Sequence, residues 1–122
     1  MADGVASAQA NTLLSDLTSV MSYVALHTGD PGTAGTSNAS SVTTRQAVTW
    51  GSASAGSISA SNVPTWTSWA GTNGETDTDI SFWSAATGGT FEDSITLTAP
   101  ITVDTGDTVE ITSITVSIPT AS

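Results

Sequence analysis

An antiparallel β-sandwich of jelly-roll character, preceded by one short N-terminal helix, is the fold predicted for this chain, and three observations predict it. Serine and threonine make up about a third of the 122 residues, and threonine, valine and isoleucine carry branched β-carbons that suit a pleated strand better than a helix. Apolar and polar residues alternate over short runs, most regularly through Ile114, Val116 and Ile118 before Pro119. Clusters of Gly, Pro, Asn and Asp separate those runs at sandwich-like spacing. Seven or eight short strands without an internal repeat imply two packed sheets rather than a propeller or β-helix. The whole chain, 1–122, reads as a single domain with the helix over 5–21 and the sandwich over 22–118.

A domain of this length buries roughly two-thirds of its unfolded-chain surface. Eleven carboxylates stand against a single cation, Arg45, for a net charge of −10. That balance argues against nucleic acid and against anionic membrane surfaces, both of which need Lys and Arg clusters. It is read as keeping a β-rich surface soluble. With no cysteine, neither a disulfide framework nor a thiolate metal site is available. No apolar run is long enough to span a bilayer, and Met1–Gly4 lacks the basic start of a secretory signal. The aromatic and β-branched content is too high for a disordered chain.

Taken in order, Val5 to Met21 is the helical segment. Leu13, Leu14, Leu17, Val20 and Met21 form a one-sided stripe, Ala6, Ala8 and Ala10 add propensity, and Asp3 stands where a cap is needed. Tyr23–Thr28 follows as a strand with apolar residues on both faces, hence a buried one. Gly29-Asp30-Pro31-Gly32 stops it, since Pro31 lacks an amide donor and the glycines permit turn geometries closed to other residues. Thr33–Thr44 is a small, polar surface loop. Arg45–Trp50 alternates, with Gln46, Val48 and Trp50 opposite Ala47 and Thr49. Ser57–Val63 is a further strand, and Pro64 ends it. Trp66 and Trp69 fall on opposite faces of an extended chain, so only a bend brings them together. Ile80–Ser84 and Phe91–Leu97 read as a hairpin joined through Ala85-Ala86-Thr87-Gly88-Gly89. Ile101 and Val103 with Val109 and Ile111 read as a second hairpin across Asp104–Asp107.

Four of these stretches carry a resemblance. Leu26-His27-Thr28-Gly29-Asp30-Pro31-Gly32 resembles the Leu-His-Thr-x-Asp-Pro-Gly signature of a family of small virion proteins of tailed bacteriophages, labelled head-decoration or tail-fibre-like. Arg45-Gln46-Ala47-Val48-Thr49-Trp50 is similar to its Arg-Gln-x-Val-Thr-aromatic motif, with Val42-Thr43-Thr44 in place of the usual Gly-Tyr-Ala lead-in. Phe82–Gly89 and Val103–Thr108 resemble its Gly-Gly turn and its Val-x-x-Gly-Asp-Thr motif. The resemblance runs from Tyr23 to the C-terminus.

No catalytic constellation is expected. His27 is the single histidine, which excludes paired imidazoles, and no nucleophile elbow accompanies the serines. His27 is read as a satisfied residue bonding carbonyls or the Asp30 carboxylate of the turn. Arg45 is expected to pair with a carboxylate such as Asp30. Glu75, Asp77 and Asp79 alternate and would share one face of a strand, the kind of oxygen cluster Ca²⁺ prefers, yet no EF-hand pattern surrounds them. No metal and no cofactor is therefore expected. Of the four tryptophans, Trp50 and Trp83 are expected in the core, and Trp66 and Trp69, beside a polar loop, at a subunit or ligand interface. His27, Asp30, Pro31, Gly32 and Arg45 form the structural motif.

The resemblance implies a structural virion protein, not an enzyme. The leading expectation is a homotrimeric capsid decoration or cement protein that binds the outer head surface and bridges major capsid subunits. The alternative is a tail-fibre or tail-tip domain that binds a host-surface carbohydrate or receptor through Trp66 and Trp69. The lack of a fibrous repeat tilts the reading toward the head.

Overall fold

The computed structural model describes residues 4–120. Its one helix, α1 (Ser7–Thr18), is followed by eight strands: β1 (Tyr23–His27), β2 (Gln46–Ala47), β3 (Ser57–Ser59), β4 (Thr65–Trp66), β5 (Glu75–Trp83), β6 (Phe91–Val103), β7 (Val109–Glu110) and β8 (Thr115–Ser117). All strand pairs are antiparallel. The fold is thus all-β and sandwich-like with a single helix, as the composition predicts.

The helix is shorter than the 5–21 span read from the sequence. Val5 leaves it to pair with Thr120, its amide bonding Pro119 O at 3.0 Å. At the other end Met21 N bonds Thr18 O, a tighter turn that drops the Met21 side chain into the core. The buried stripe is Ala10, Leu14 and Thr18, spaced four apart as one helical face requires. Leu13 and Val20, expected on that face, are instead 50% and 41% exposed. Asp3, the expected cap, lies outside the described residues.

One four-stranded sheet, in the order β2-β1-β5-β6, forms the first layer. β1 lies inside it, as its two apolar faces require, with Val24 paired to Phe82 and Leu26 to Ile80. The β5–β6 hairpin forms as read, Trp83 opposite Phe91 and Ile80 opposite Ile95. Further along, Leu97–Pro100 of β6 stand opposite Thr78 alone, between the pairs Asp79↔Thr96 and Asp77↔Ile101. The bulge accommodates Pro100, which has no amide to give to a ladder.

The second hairpin does not form. Val103 pairs with Glu75 in the first sheet, whereas Val109 pairs with Trp66 in the other layer. The Asp104–Asp107 turn is real, with Asp107 N bonding Asp104 O at 3.0 Å, but it carries the chain between layers. A turn sets direction only; each flanking strand has found a larger apolar surface elsewhere.

The second layer is made of two short ribbons, β3-β8 and β4-β7. They are two ends of one ladder between segments 57–66 and 109–117. Ala60 N bonds Ile114 O and Ile111 N bonds Pro64 O between them. From Ser59↔Thr115 to Thr65↔Glu110 the first segment uses one more residue than the second. Segment 46–51 links the layers, pairing with β1 through Gln46 and Ala47 and with Ala60 through Trp50. Strands that change sheet in this way make the corners of sandwiches. The Asn62 side chain braces the corner, accepting from Thr49 N and donating to Ala47 O. Between the layers lies one core, including Leu14, Met21, Val24, Ile58, Trp66, Trp69, Phe82 and Val116.

Gly56 gives the first test of this packing. Its φ is +77°, and a Cβ there would stand 2.8 Å from Ile118 O, on a residue whose own amide bonds Gly56 O at 2.8 Å. Gly74 has the same φ with open space around it. Gly56→Ala should therefore cost about 2 kcal/mol or more in urea unfolding, and Gly74→Ala only the backbone cost of about 1 kcal/mol. Equal costs at the two positions would mean that the Ile118 carbonyl does not close over Gly56.

Candidate functional site

The turn motif works by holding its loop down. Asp30 Oδ1 accepts from Gly32 N at 2.9 Å, and Asp30 O accepts from the Asn38 amide at 3.0 Å. Ser37 N bonds Pro31 O, and Thr28 N bonds Asn38 O. Pro31 is buried beneath the loop. Gly35, at φ +74°, lies flat against the Phe91 ring, where a Cβ would collide with it. Segment 28–40 is thus strapped back onto β1, ending in a bridge between His27 and Ala39.

His27 is satisfied, as read, but by partners other than Asp30. Its Nδ1 lies 2.9 Å from Ser37 O and its Nε2 2.7 Å from Ser81 Oγ. A carbonyl can only accept, so Nδ1 carries the proton, and in the neutral ring Nε2 accepts from the Ser81 hydroxyl. Ser81 Oγ in turn accepts from Trp83 Nε1 at 2.8 Å. The chain Trp83 to Ser81 to His27 to Ser37 therefore runs in one direction. Sequence reasoning missed Ser81 and Ser37. The available signal was a serine inside the apolar run Ile80-Ser81-Phe82-Trp83, where only a bonded hydroxyl is tolerated.

Arg45 does not pair with Asp30, which is exposed on the turn. Its Nη1 donates to Ala85 O at 2.9 Å and to Gly88 O at 2.7 Å. The guanidinium stacks over Trp83, 3.9 Å from the ring centroid, a favourable cation–π arrangement. Trp83 also packs against Phe91 at 5.6 Å. A carboxylate would have had to be drawn out of water, whereas the carbonyls of the 85–89 turn are already in place. Arg45 thereby ties the start of β2 to the β5–β6 connection.

Between the strapped loop and this turn lies a cavity of about 160 Å³, lined in part by Leu26, His27, Thr36, Thr43, Arg45 and Trp83. Thr43 and Arg45 continue into a shallower cleft beside Ala86, Thr87 and Gly88. Three of the four resembling stretches therefore meet at one concavity.

Trp66 and Trp69 are not there. They are 3% and 2% exposed, with Nε1 atoms donating to Thr44 O and Thr72 O. The expectation that they face a partner or ligand is corrected: Ser68, at φ +51°, supplies the bend that turns both indoles inward. A buried ring has no face left for a sugar. Trp83 is core, as expected, and Trp50 is half-buried against Phe82, its Nε1 bonding Met21 O.

The three alternating carboxylates do not form one cluster: Asp77 adjoins Glu75, and Asp79 stands apart from them. Glu75 Oε2 accepts from Ser40 Oγ at 2.6 Å, and Oε1 accepts from Ser41 N and Ser41 Oγ. Burial alone would raise its pKa, but the hydroxyls of Ser40 and Ser41 hold it below the usual value. Asp79 is held separately by Thr78 and Thr96. Asp77 is fully buried. No group of three potential metal ligands occurs among the described residues.

The described residues thus form an all-β, strongly acidic module with a loop bonded down beside a small cleft. A family model described as Podophage GP4 fiber I protein gp80 matches residues 2–119. The chain belongs to that family, and so is a structural protein of the phage virion. Among curated proteins, none matches the chain.

Proposed function

We propose that this protein is a fibre subunit of the tail apparatus that binds a host-surface saccharide, acting by recognition and without catalysis. The observation that carries the reading is the fibre-family match over nearly the whole chain; it supports the tail alternative over capsid cement. Within the chain, the cavity beside Arg45 and Trp83 is the proposed contact. It is of the size of one sugar ring, mostly apolar, and edged by Thr36 and Thr43, the mix of apolar wall and a few polar residues that small-molecule sites use. Copies of the chain assemble with one another in this reading, as the threefold symmetry expected from the resemblance requires.

Two measurements test it. Thr43 is exposed and makes no side-chain bond of its own, so Thr43→Trp closes the cavity mouth without touching the Arg45 bonds. Adsorption of particles to host cells and binding of the protein to purified host-surface polysaccharide should both fall at least tenfold, with unchanged unfolding. Quantitative mass spectrometry of particles should give a copy number far below that of the shell protein. A ratio near one to one, with adsorption unchanged, would reinstate the cement reading.

A further inference from the structure

Among the described residues, Asp77 is the carboxyl group that is buried without a partner, and the binding role does not explain it. Its exposure is 0%, and neither Oδ1 nor Oδ2 has a hydrogen-bond partner. An ionised carboxylate in that state is costly enough that such groups stay neutral or acquire a partner. The neighbour is Glu75, two residues back on β5. Glu75 Oε1 already accepts two bonds from Ser41, whereas Oε2 accepts one, from Ser40, which leaves a lone pair on Oε2. Opposite Asp77 on β6 stands Ile101, which cannot titrate. Asp79, further along β5, spends its oxygens on Thr78 and Thr96. The residues that cover Glu75 from the loop, Ser40, Ser41 and Val42, carry no charge.

We infer that Asp77 is held protonated and donates its proton to Glu75 Oε2, so that the pair forms a proton-dependent clasp between β5 and residues 40–42. The clasp is continuous: Asp77 orients Glu75, Glu75 accepts from Ser40 and Ser41, Ser40 Oγ accepts from Val42 N, and Ser41 Oγ accepts from Thr72 N. It therefore anchors the chain just before Thr43 and Arg45, at the end of the strapped loop. Loss of the proton would leave two carboxylates side by side, one of them fully buried, and the segment most able to move away is the loop. A cation is a poorer occupant, because Glu75 is already engaged by protein donors and no third acidic or imidazole ligand is grouped with the pair.

The electrostatics agree. Burial first, then the adjoining Glu75, push the Asp77 carboxyl up to about 8. A carboxyl whose folded value is raised binds more protons folded than unfolded. Its stabilising contribution is complete below the unfolded value, roughly 4, and is lost as pH rises from there to about 8. Glu75, lowered on folding, has the opposite sign and matters only in more acid solution.

The test is urea unfolding of the intact protein from pH 5 to 9.5, with hydrogen exchange at Ser41 and Val42. The folding constant should fall by up to about tenfold per pH unit through the window and level off above it. Exchange at Ser41 should accelerate over the same range. Asp77→Asn keeps the shape and supplies N–H donors to Glu75, so it should flatten the pH dependence. The wild-type infrared spectrum near pH 6 should contain a protonated-carboxyl band that D77N lacks. Should D77N fail to fold, the wild-type slope and band still decide. A flat wild-type profile without the band overturns the inference, and so does a midpoint raised by added Ca²⁺ or Na⁺ in wild type but not in D77N.

Discussion

Trp69→Ala is expected to destabilise the fold by about 3–5 kcal/mol, the usual cost of truncating a buried aromatic. Trp69 is among the largest fully buried side chains. Its backbone is fastened on both sides, Trp69 N to Asp107 O at 2.9 Å and Gly106 N to Trp69 O at 2.8 Å. The surroundings therefore cannot collapse into the space left behind, which places the cost toward the upper end. Native domains hold only about 5–15 kcal/mol in total, so the variant should unfold at much lower urea. Trp69→Phe keeps most of the apolar volume and should cost less than half as much. The outcome separates two roles for this residue. Trp69→Ala with unchanged stability but lost saccharide binding would mean that the indole faces a ligand, contrary to its burial.

His27→Ala should cost about 3 kcal/mol, because it strands two buried partners at once, the Ser37 carbonyl and the Ser81 hydroxyl. Two amide variants divide the effect. Asn places a donor where Nδ1 stands and retains the Ser37 bond; Gln reaches toward Ser81 and retains the other. His27→Asn should keep residues 28–40 protected from hydrogen exchange while losing stability, and His27→Gln should loosen that loop first. If both amides behaved as Ala does, the imidazole would be acting through its volume rather than its bonds. Loosening of the loop also bears on recognition, since the proposed cavity is closed on one side by Thr36 and Ala39.

The strands themselves were largely legible. Alternation marked Val48 and Trp50 against Ala47 and Thr49, and Ile114 and Val116 against their neighbours, and the buried residues follow that pattern. The Gly88-Gly89 turn was legible because positive φ at both glycines is a local demand that few other residues meet. Pairing was less so. Val103 and Val109 flank a sound turn yet join different layers, because the energy of a strand pair lies in side-chain packing against its neighbours. Those neighbours, Glu75 and Trp66, are distant in sequence. The tryptophans were misread for the same reason: whether an indole is covered depends on what the rest of the chain places over it.

What the amino-acid order determined by itself is the all-β class, the amphipathic helix, the hard stop at Pro31 and the strong negative charge. Each of these rests on local backbone preference or on composition, which need no knowledge of distant residues. The tertiary structure alone decided that Arg45 caps carbonyls instead of pairing with Asp30, that Trp66 and Trp69 are buried, and that Asp77 lies dry beside Glu75. Each of these depends on desolvation and on partners far along the chain, and a carboxyl group becomes a proton-holding one only when folding removes the water around it.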